Sequence, residues 1–339
     1  MEFFPELIGN ESTKNRIGSA IVSSRVPHAF LIDGDEGSGK TTLALNIAMA
    51  LNCEGSGNLP CGECNTCKRI KKRGYPDLKI LEKSRERATI GVSEVKELRA
   101  DMFLSATEAK AKVYIIQDAD KLTPEAQNAL LIVLEEPPPN VVIILLAGGT
   151  DKILTTVKSR AQYIAMERFS TAELMRTVAR ISEAGARMLR LDPDKFNTVI
   201  AEAKGSVGKA LMLLDPERAS EIDIRRKEIL AVIEAISPKK SFAELYSALF
   251  ALSQKRPELL SMLEELLSAL SDIVKAAHAG ASEMEFFTAV SDAEKYKDGL
   301  SDAFILKVYS LILSAHESIT KNSGISAVLS HLASEIKLI

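Results

Sequence analysis

The sequence contains no tryptophan, and phenylalanine plus tyrosine make up 5% of its 339 residues. Proteins that grip single-stranded nucleic acid stack bases on aromatic rings, so stacking is not expected as the main device of this chain. Excess charge of one sign is also missing: 43 Lys and Arg face 46 Asp and Glu, a formal −3. That argues against attachment to nucleic acid by bulk positive charge and leaves room only for a local basic patch. Long apolar runs are absent. The longest, Val141 to Ala147, has seven residues, too few to span about 30 Å of hydrocarbon. The N-terminus, MEFFPELIGNE, lacks the basic start and long apolar stretch of a signal peptide. Cysteine is scarce, and the four present all fall between positions 53 and 67, whereas structural disulfides are usually more scattered and belong to oxidising compartments. A cytoplasmic protein with no membrane association is expected.

What is present is the composition of a folded protein, 46% hydrophobic and 26% charged, with a length suited to about two or three domains. In the first half, β-rich runs alternate with helical patterns. Ala29–Asp33, Leu78–Leu81, Val113–Gln117, Val142–Leu146 and Gln162–Met166 read as strands; Thr41–Leu51, Ser93–Leu104, Pro124–Glu135 and Asp151–Lys158 read as helices. This alternation predicts an α/β fold with a parallel sheet covered on both faces. Val141–Leu146 is continuously apolar, as a central strand buried on both sides would be. Thr123 before Pro124 supplies a capping hydroxyl and a proline at the first helical position, and Pro137, Pro138 and Pro139 end that helix. After about Arg168 the β signal vanishes. Helical spacing continues, with a small unit at about 168–214 and a larger bundle behind the Asp215-Pro216 break. The stripe Leu259, Leu260, Met262, Leu263, Leu266 and Leu267 reads as bundle core.

Gly34-Asp35-Glu36-Gly37-Ser38-Gly39-Lys40-Thr41, followed by Thr42, fits the P-loop pattern between a strand and a helix. Glycines let the backbone curl so that its N–H groups face phosphate oxygens, and the helix N-terminus adds partial positive charge. Lys40 is placed to reach the β- and γ-phosphates and Thr41 to ligate Mg²⁺, with ATP or ADP as the nucleotide. Hydrolysis also needs a metal-orienting acid and a water-activating acid after a neighbouring strand. An Asp-Glu pair is expected at 117 and 118, and the sequence has Gln117 and Asp118. A neutral amide binds metal-coordinated water more weakly than a carboxylate. Binding with weak or absent turnover is therefore expected, Asp118 being the remnant of the catalytic pair.

Cys53, Cys61, Cys64 and Cys67 carry two overlapping C-x-x-C pairs and a fourth thiolate, enough to surround one tetrahedral Zn²⁺. None of the four histidines, His28, His278, His316 and His331, lies nearby in sequence. The expectation is a closed, structural, all-cysteine site; an iron–sulfur cluster and free thiols are the alternatives. The run Lys68-Arg69-Ile70-Lys71-Lys72-Arg73 reads as a solvated helix face, with docking to a partner or to DNA phosphate as the alternative.

Taken together, the P-loop, the four-cysteine insert behind its helix, Asp118-Ala119-Asp120-Lys121-Leu122-Thr123, Asn128-Ala129-Leu130-Leu131 and Leu134-Glu135-Glu136-Pro137-Pro138 resemble the clamp-loader family of bacterial DNA polymerase III. The resemblance covers about 1–215 and implies an AAA+ P-loop domain over 1–167 with a zinc insert at about 53–67. It further implies a helical lid over 168–214 and an all-α C-terminal collar over 215–339. Leu7-Ile8-Gly9-Asn10-Glu11 resembles the family's adenine-side box, which makes Ile8 and Gly9 nucleotide-binding candidates. Ser159-Arg160-Ala161 resembles its Ser-Arg-Cys, whose arginine enters the neighbouring subunit's nucleotide site as a trans finger. The family has a motor type, gamma, and a near-inactive type, delta-prime. Gln117, the absence of a threonine pair in Ala147-Gly148-Gly149-Thr150, and Gly208 where the motor has a sensing arginine resemble delta-prime; the intact P-loop departs from it. The implied partners are gamma/tau-type and delta-type subunits in a heteropentamer, the sliding clamp, and primed DNA through the assembly. The alternatives are a gamma-type or other AAA+ DNA-remodelling ATPase, and a zinc-dependent nucleic-acid-binding module.

Overall fold

The computed structural model of the chain describes residues 2–84, 89–278, 284–287, 290–297 and 300–339. These divide into two compact units, Met1–Ser84 with Thr89–Met212, and Leu213–Ile339.

The first unit begins with α1 (Glu11–Val22), β1 (Ala29–Asp33), α2 (Lys40–Asn52), α3 (Asn65–Lys71), β2 (Leu78–Leu81), α4 (Val92–Met102) and β3 (Lys112–Ile116). A 3-10 turn at Ala119–Lys121 leads to α5 (Pro124–Glu135), β4 (Val141–Ala147), α6 (Thr155–Lys158) and β5 (Gln162–Ala165). The strands are all parallel and lie in the order β2-β3-β4-β1-β5. Parallel neighbours need crossovers, and the helices that provide them cover both faces. Alternate residues divide accordingly. Phe30, Ile32, Val113, Ile115, Ile144 and Leu146 pack with Leu43 and Ile47 of α2. Leu31, Tyr114, Ile116, Ile143 and Leu145 pack on the opposite face with Val95 of α4 and Leu130 and Val133 of α5. All seven residues of β4 are buried, as its unbroken apolar run predicts, and each fully buried aliphatic side chain contributes at most about 1.5–3 kcal/mol.

Local signals set the element ends. Thr123 accepts the Ala126 N–H at 3.2 Å and Pro124 opens α5. The helix expected at Asp151–Lys158 shortens to Thr155–Lys158, because Gln127 Oε1 takes the Leu154 N–H at 2.7 Å and holds 151–154 as a turn. Helices α1 and α3 extend beyond the expected set; the basic run 68–73 falls on α3 and its C-terminal turn.

The chain then turns helical: α7 (Thr171–Ile181), α8 (Glu183–Leu191), α9 (Pro193–Glu202) and α10 (Val207–Leu214). Ser170 and Glu173 form a reciprocal capping box at the start of α7, and Leu174, Val178, Phe196, Val199 and Ile200 are buried among these helices.

The second unit is helical: α11 (Pro216–Ile236), α12 (Phe242–Ala251), α13 (Arg256–His278), α14 (Val290–Glu294), α15 (Asp302–Thr320) and α16 (Ile325–Leu338). Its core includes the Leu259–Leu267 stripe read as core from the sequence. Helix ends are tied by charged side chains. Lys337 Nζ donates to the carbonyls of Ala235, Ser237 and Lys240 at 3.0, 2.9 and 2.9 Å, capping α11 with a cation. Arg256 donates to the carbonyls of Ile319 and Ser323 at the end of α15. Among the described residues no helix is long and apolar enough to cross a membrane.

Candidate functional site

The P-loop lies between the C-terminal end of β1 and the N-terminus of α2. Gly37 (φ +74°) and Gly39 (φ +95°) take left-handed conformations that only glycine adopts cheaply. Gly39 is the N-cap of α2, and Lys40, Thr41 and Thr42 form its first turn. Lys40 Nζ donates to the carbonyls of Gly34 and, at 2.8 Å, Asp35. Burial holds its ammonium below the usual lysine value, against the opposing pull of Asp35, Asp118, Asp120 and Asp33. A cavity of about 290 Å³ opens beside the loop, lined by Asp33, Gly34, Asp35, Ser38, Gly148, Gly149, Ala165, Met166 and Arg168. The Ser38 hydroxyl oxygen is buried and has no partner among the described residues. A curled glycine loop, a helix N-terminus, a lysine and an orphaned hydroxyl are the donors a phosphate group needs.

The segment 7–10 borders the same loop. Leu7 is buried, and its Cδ1 lies 3.2 Å from where a Cβ on Gly39 would stand. Ile8 is half-buried beside it. Gly9 (φ +67°) packs so tightly on the Phe169 ring that a Cβ would come within 2.6 Å of it. Asn10 Oδ1 accepts the Glu167 N–H at 2.8 Å.

The start of α10 rests on the P-loop itself. Gly208 donates its N–H to the Gly37 carbonyl at 3.0 Å, and Ser206 Oγ donates to the Glu36 carbonyl at 2.8 Å. A Cβ on Gly208 would lie 2.7 Å from both Gly37 Cα and its oxygen. The structure shows that this backbone approach needs glycine at 208, the position where the resemblance expects the motor type to carry an arginine.

After β3, Asp118 takes a left-handed conformation (φ 49°) and opens the 3-10 turn. Gln117 Nε2 donates to Glu82 Oε1 at 3.0 Å, and Glu82 also pairs with Arg73 at 2.6 Å. Asp120 Oδ1 accepts the Gly148 N–H at 3.2 Å. Gln127, 2% exposed, was not singled out by sequence. Its amide donates to the carbonyls of Leu122 and Lys152 at 3.2 and 2.9 Å besides accepting from Leu154. One carboxamide thus braces the turn after β3 against the segment leading to α6.

Arg160 follows α6. Its Nη2 pairs with Glu135 at 2.7 Å, and its Nη1 donates to the Thr156 carbonyl at 3.0 Å and to Ser159 Oγ at 3.2 Å. About a third of the side chain is exposed.

The four cysteines converge. All are free, and the Sγ atoms of Cys53, Cys61, Cys64 and Cys67 lie within 4.8 Å of one another. Four thiolates around tetrahedral Zn²⁺ at about 2.3 Å would sit about 3.8 Å apart, so the donor set fits with small adjustment. Backbone N–H groups of Cys61, Cys64 and Cys67 point at the sulfurs of Cys53, Cys61 and Cys64, each at 3.4 Å. Burial pushes the Cys64 thiol up, but the N–H groups of Glu54 and Cys67 and the neighbouring thiols outweigh it and bring it down to about 6. Burial raises Cys67 and Cys53, outweighing the Gly62 N–H at Cys67 and the Cys61 and Gly55 N–H groups at Cys53. Gly55 is required here, since a Cβ would lie 2.5 Å from Cys61 Sγ. Asn52 secures the base of the loop by exchanging hydrogen bonds with Ala111 at 2.9 and 3.1 Å, and Lys110 Nζ donates to the Cys53 carbonyl at 3.0 Å.

The basic run is largely neutralised within the chain: Arg69 pairs with Glu108 and Lys71 with Glu6, each at 2.7 Å, and Arg73 with Glu82. This favours the solvated-face reading.

A parallel sheet with a P-loop after its β1 strand, followed by a predominantly helical C-terminal region, defines a P-loop α/β fold. The family model described as "DNA polymerase III, delta subunit" matches residues 9–170. The chain is 30% identical over 212 residues to DNA polymerase III subunit gamma/tau of Mycoplasma pneumoniae, covering 62% of this chain and 30% of that protein. It is 29% identical over 266 residues to subunit gamma of Buchnera aphidicola (78% and 71%) and 29% identical over 276 residues to subunit tau of Bacillus subtilis (80% and 47%). It thus spans from under a third to somewhat over two thirds of the length of these relatives. Among solved structures, a DNA polymerase III gamma subunit-related protein of Thermotoga maritima aligns over 96% of this chain and 98% of its own at a TM-score of 0.41 and 14% identity. By sequence, the matched region is similar to the DNA polymerase III clamp-loader family.

Proposed function

We propose that this chain is a delta-prime-type subunit of the clamp loader, which holds a nucleotide with weak or no hydrolysis and supplies Arg160 in trans to a neighbouring ATPase subunit. The observation that carries this is the contrast between the two halves of the site. The phosphate-holding half is complete at Gly34–Thr42. The hydrolytic half has Gln117, whose amide is engaged with Glu82, and Gly208, which offers no side chain. Bound Mg²⁺-ATP would be met by Lys40, Ser38, Thr41 and the α2 N-terminus, with Ile8 and Gly9 on the adenine side. The nucleotide would stabilise the folded chain by mass action. A guanidinium delivered to a neighbour's γ-phosphate stabilises charge that develops as the phosphate leaves, typically worth ~10³–10⁵ in rate. Zn²⁺ held by Cys53, Cys61, Cys64 and Cys67 would be structural, all four positions being filled by thiolates. The partners would be gamma/tau-type and delta-type subunits, with the sliding clamp and primed DNA engaged through the assembly.

A second reading, a gamma-type motor, is favoured by the gamma and tau names of the relatives above and by the intact P-loop. ATP turnover by the purified chain separates the two. The stator reading expects turnover near background, raised by Gln117→Asp; brisk wild-type hydrolysis would establish the motor instead.

A further inference from the structure

We propose that Arg168 is a phosphate-binding residue of this chain's own nucleotide site, contributing from the exit of β5 the cation that Gly208 does not provide. The inference rests on the reading that the P-loop holds a nucleoside polyphosphate. Arg168 lines the same cavity as Gly34, Asp35 and Ser38. Its backbone is pinned on both sides: the Glu167 N–H by Asn10, the Phe169 N–H by the Gly205 carbonyl at 3.1 Å, and the Met166 N–H by the Asp33 carbonyl at 2.7 Å. These anchors fix the root of a side chain that is itself 57% exposed and is held at the loop by its pair with Asp35. Its guanidinium meets the P-loop directly, with Nε donating to Asp35 Oδ2 at 2.7 Å and Nη2 to Oδ1 at 3.2 Å.

That two-pronged grip on a carboxylate is the geometry with which arginine also holds phosphate oxygens. Asp35 has a second consequence. A carboxylate within a phosphate-binding loop repels the ligand unless a cation offsets it, and Arg168 is the cation in place. The bound nucleotide would then find Arg168 already positioned, contacting phosphate from the cavity side while Lys40 and the α2 N-terminus hold it from the other. Among the described residues, no other Lys or Arg lines this cavity.

The test is binding of Mg²⁺-ATP to the full chain by calorimetry, for wild type, Arg168→Ala, Arg168→Lys, Asp35→Asn and the Arg168→Ala/Asp35→Asn double variant, each checked for native circular dichroism. Arg168→Ala should weaken ATP binding about tenfold or more. Arg168→Lys, which keeps the charge but loses the fork, should recover part of it. Asp35→Asn alone should bind at least as tightly as wild type, and it should not rescue Arg168→Ala. Unchanged affinity in Arg168→Ala would overturn the proposal, as would full rescue in the double variant, which would reduce Arg168 to a neutraliser of Asp35. A wild-type chain that binds no ATP would instead remove the nucleotide-holding reading, and the inference with it.

Discussion

Gly208 and Gly37 meet backbone to backbone: the N–H of one donates to the carbonyl of the other at 3.0 Å, and no Cβ fits between them. The first turn of α10 is therefore seated on the phosphate loop by main-chain atoms.

Gly208→Ala should unseat that turn. Its Cβ would stand 2.7 Å from P-loop backbone, which cannot yield as a flexible side chain would. Overpacking of this kind costs about 1–3 kcal/mol. The expected result is a lower Tm and faster protease cleavage between 168 and 212; a variant as resistant as wild type would show that the seat is not tight.

Cys64→Ser should lower bound zinc and Tm together, because removing one of four thiolates opens the coordination shell and metal binding is coupled to folding. Chelator treatment of wild type should reproduce the loss. Metal analysis of gently purified native protein checks the premise, with one zinc per chain expected.

For Arg160→Ala the two measurements should part company. Its pair with Glu135 is partly exposed, and such pairs contribute about 0–1 kcal/mol, so melting should barely change. ATP hydrolysis by the reconstituted loader should fall at one of its sites. An unchanged rate at every site would remove the finger role.

Asp77 predicts an acid-sensitive contribution. It is buried, and its carboxylate accepts the N–H groups of Thr107, Glu108 and Ala109 at 2.8–3.1 Å. Burial raises its pKa, but these three donors and Lys112 outweigh that and hold it below the ordinary value. A depressed folded-state pKa stabilises fully above the unfolded value of about 4 and loses that stabilisation as pH falls through the folded one. Asp77→Asn should therefore cost about 1.5–3 kcal/mol at pH 7, and the gap to wild type should narrow in denaturant titrations below pH 4.

Much of the architecture is legible in the sequence because its signals are local. The P-loop spacing, the Thr123-Pro124 cap and the unbroken Val141–Ala147 run each act within a few residues. The relationships that finish the site join distant segments. Asp35 and Arg168 are 133 positions apart, and neither belongs to a pattern that demands the other. Gln127 sits in plain view within Asn128-Ala129-Leu130-Leu131's helix, but its three backbone partners come from two other stretches. The shortening of α6 follows from the same cause, since a hydrogen bond from α5 competes with helix formation at Leu154. The cysteine cluster lies between these cases: its spacing announces that the four thiols gather, while the need for glycine at 55 emerges only when Cys61 is seen against it.

The footing of the cysteine loop has a practical corollary. Asn52 and Lys110 suture it to the residues just ahead of β3, so positions 53–67 are not a portable cassette. Transplanting the knuckle into a foreign scaffold would call for the 110–112 stretch to travel with it, or for a substitute foundation built to the same pattern.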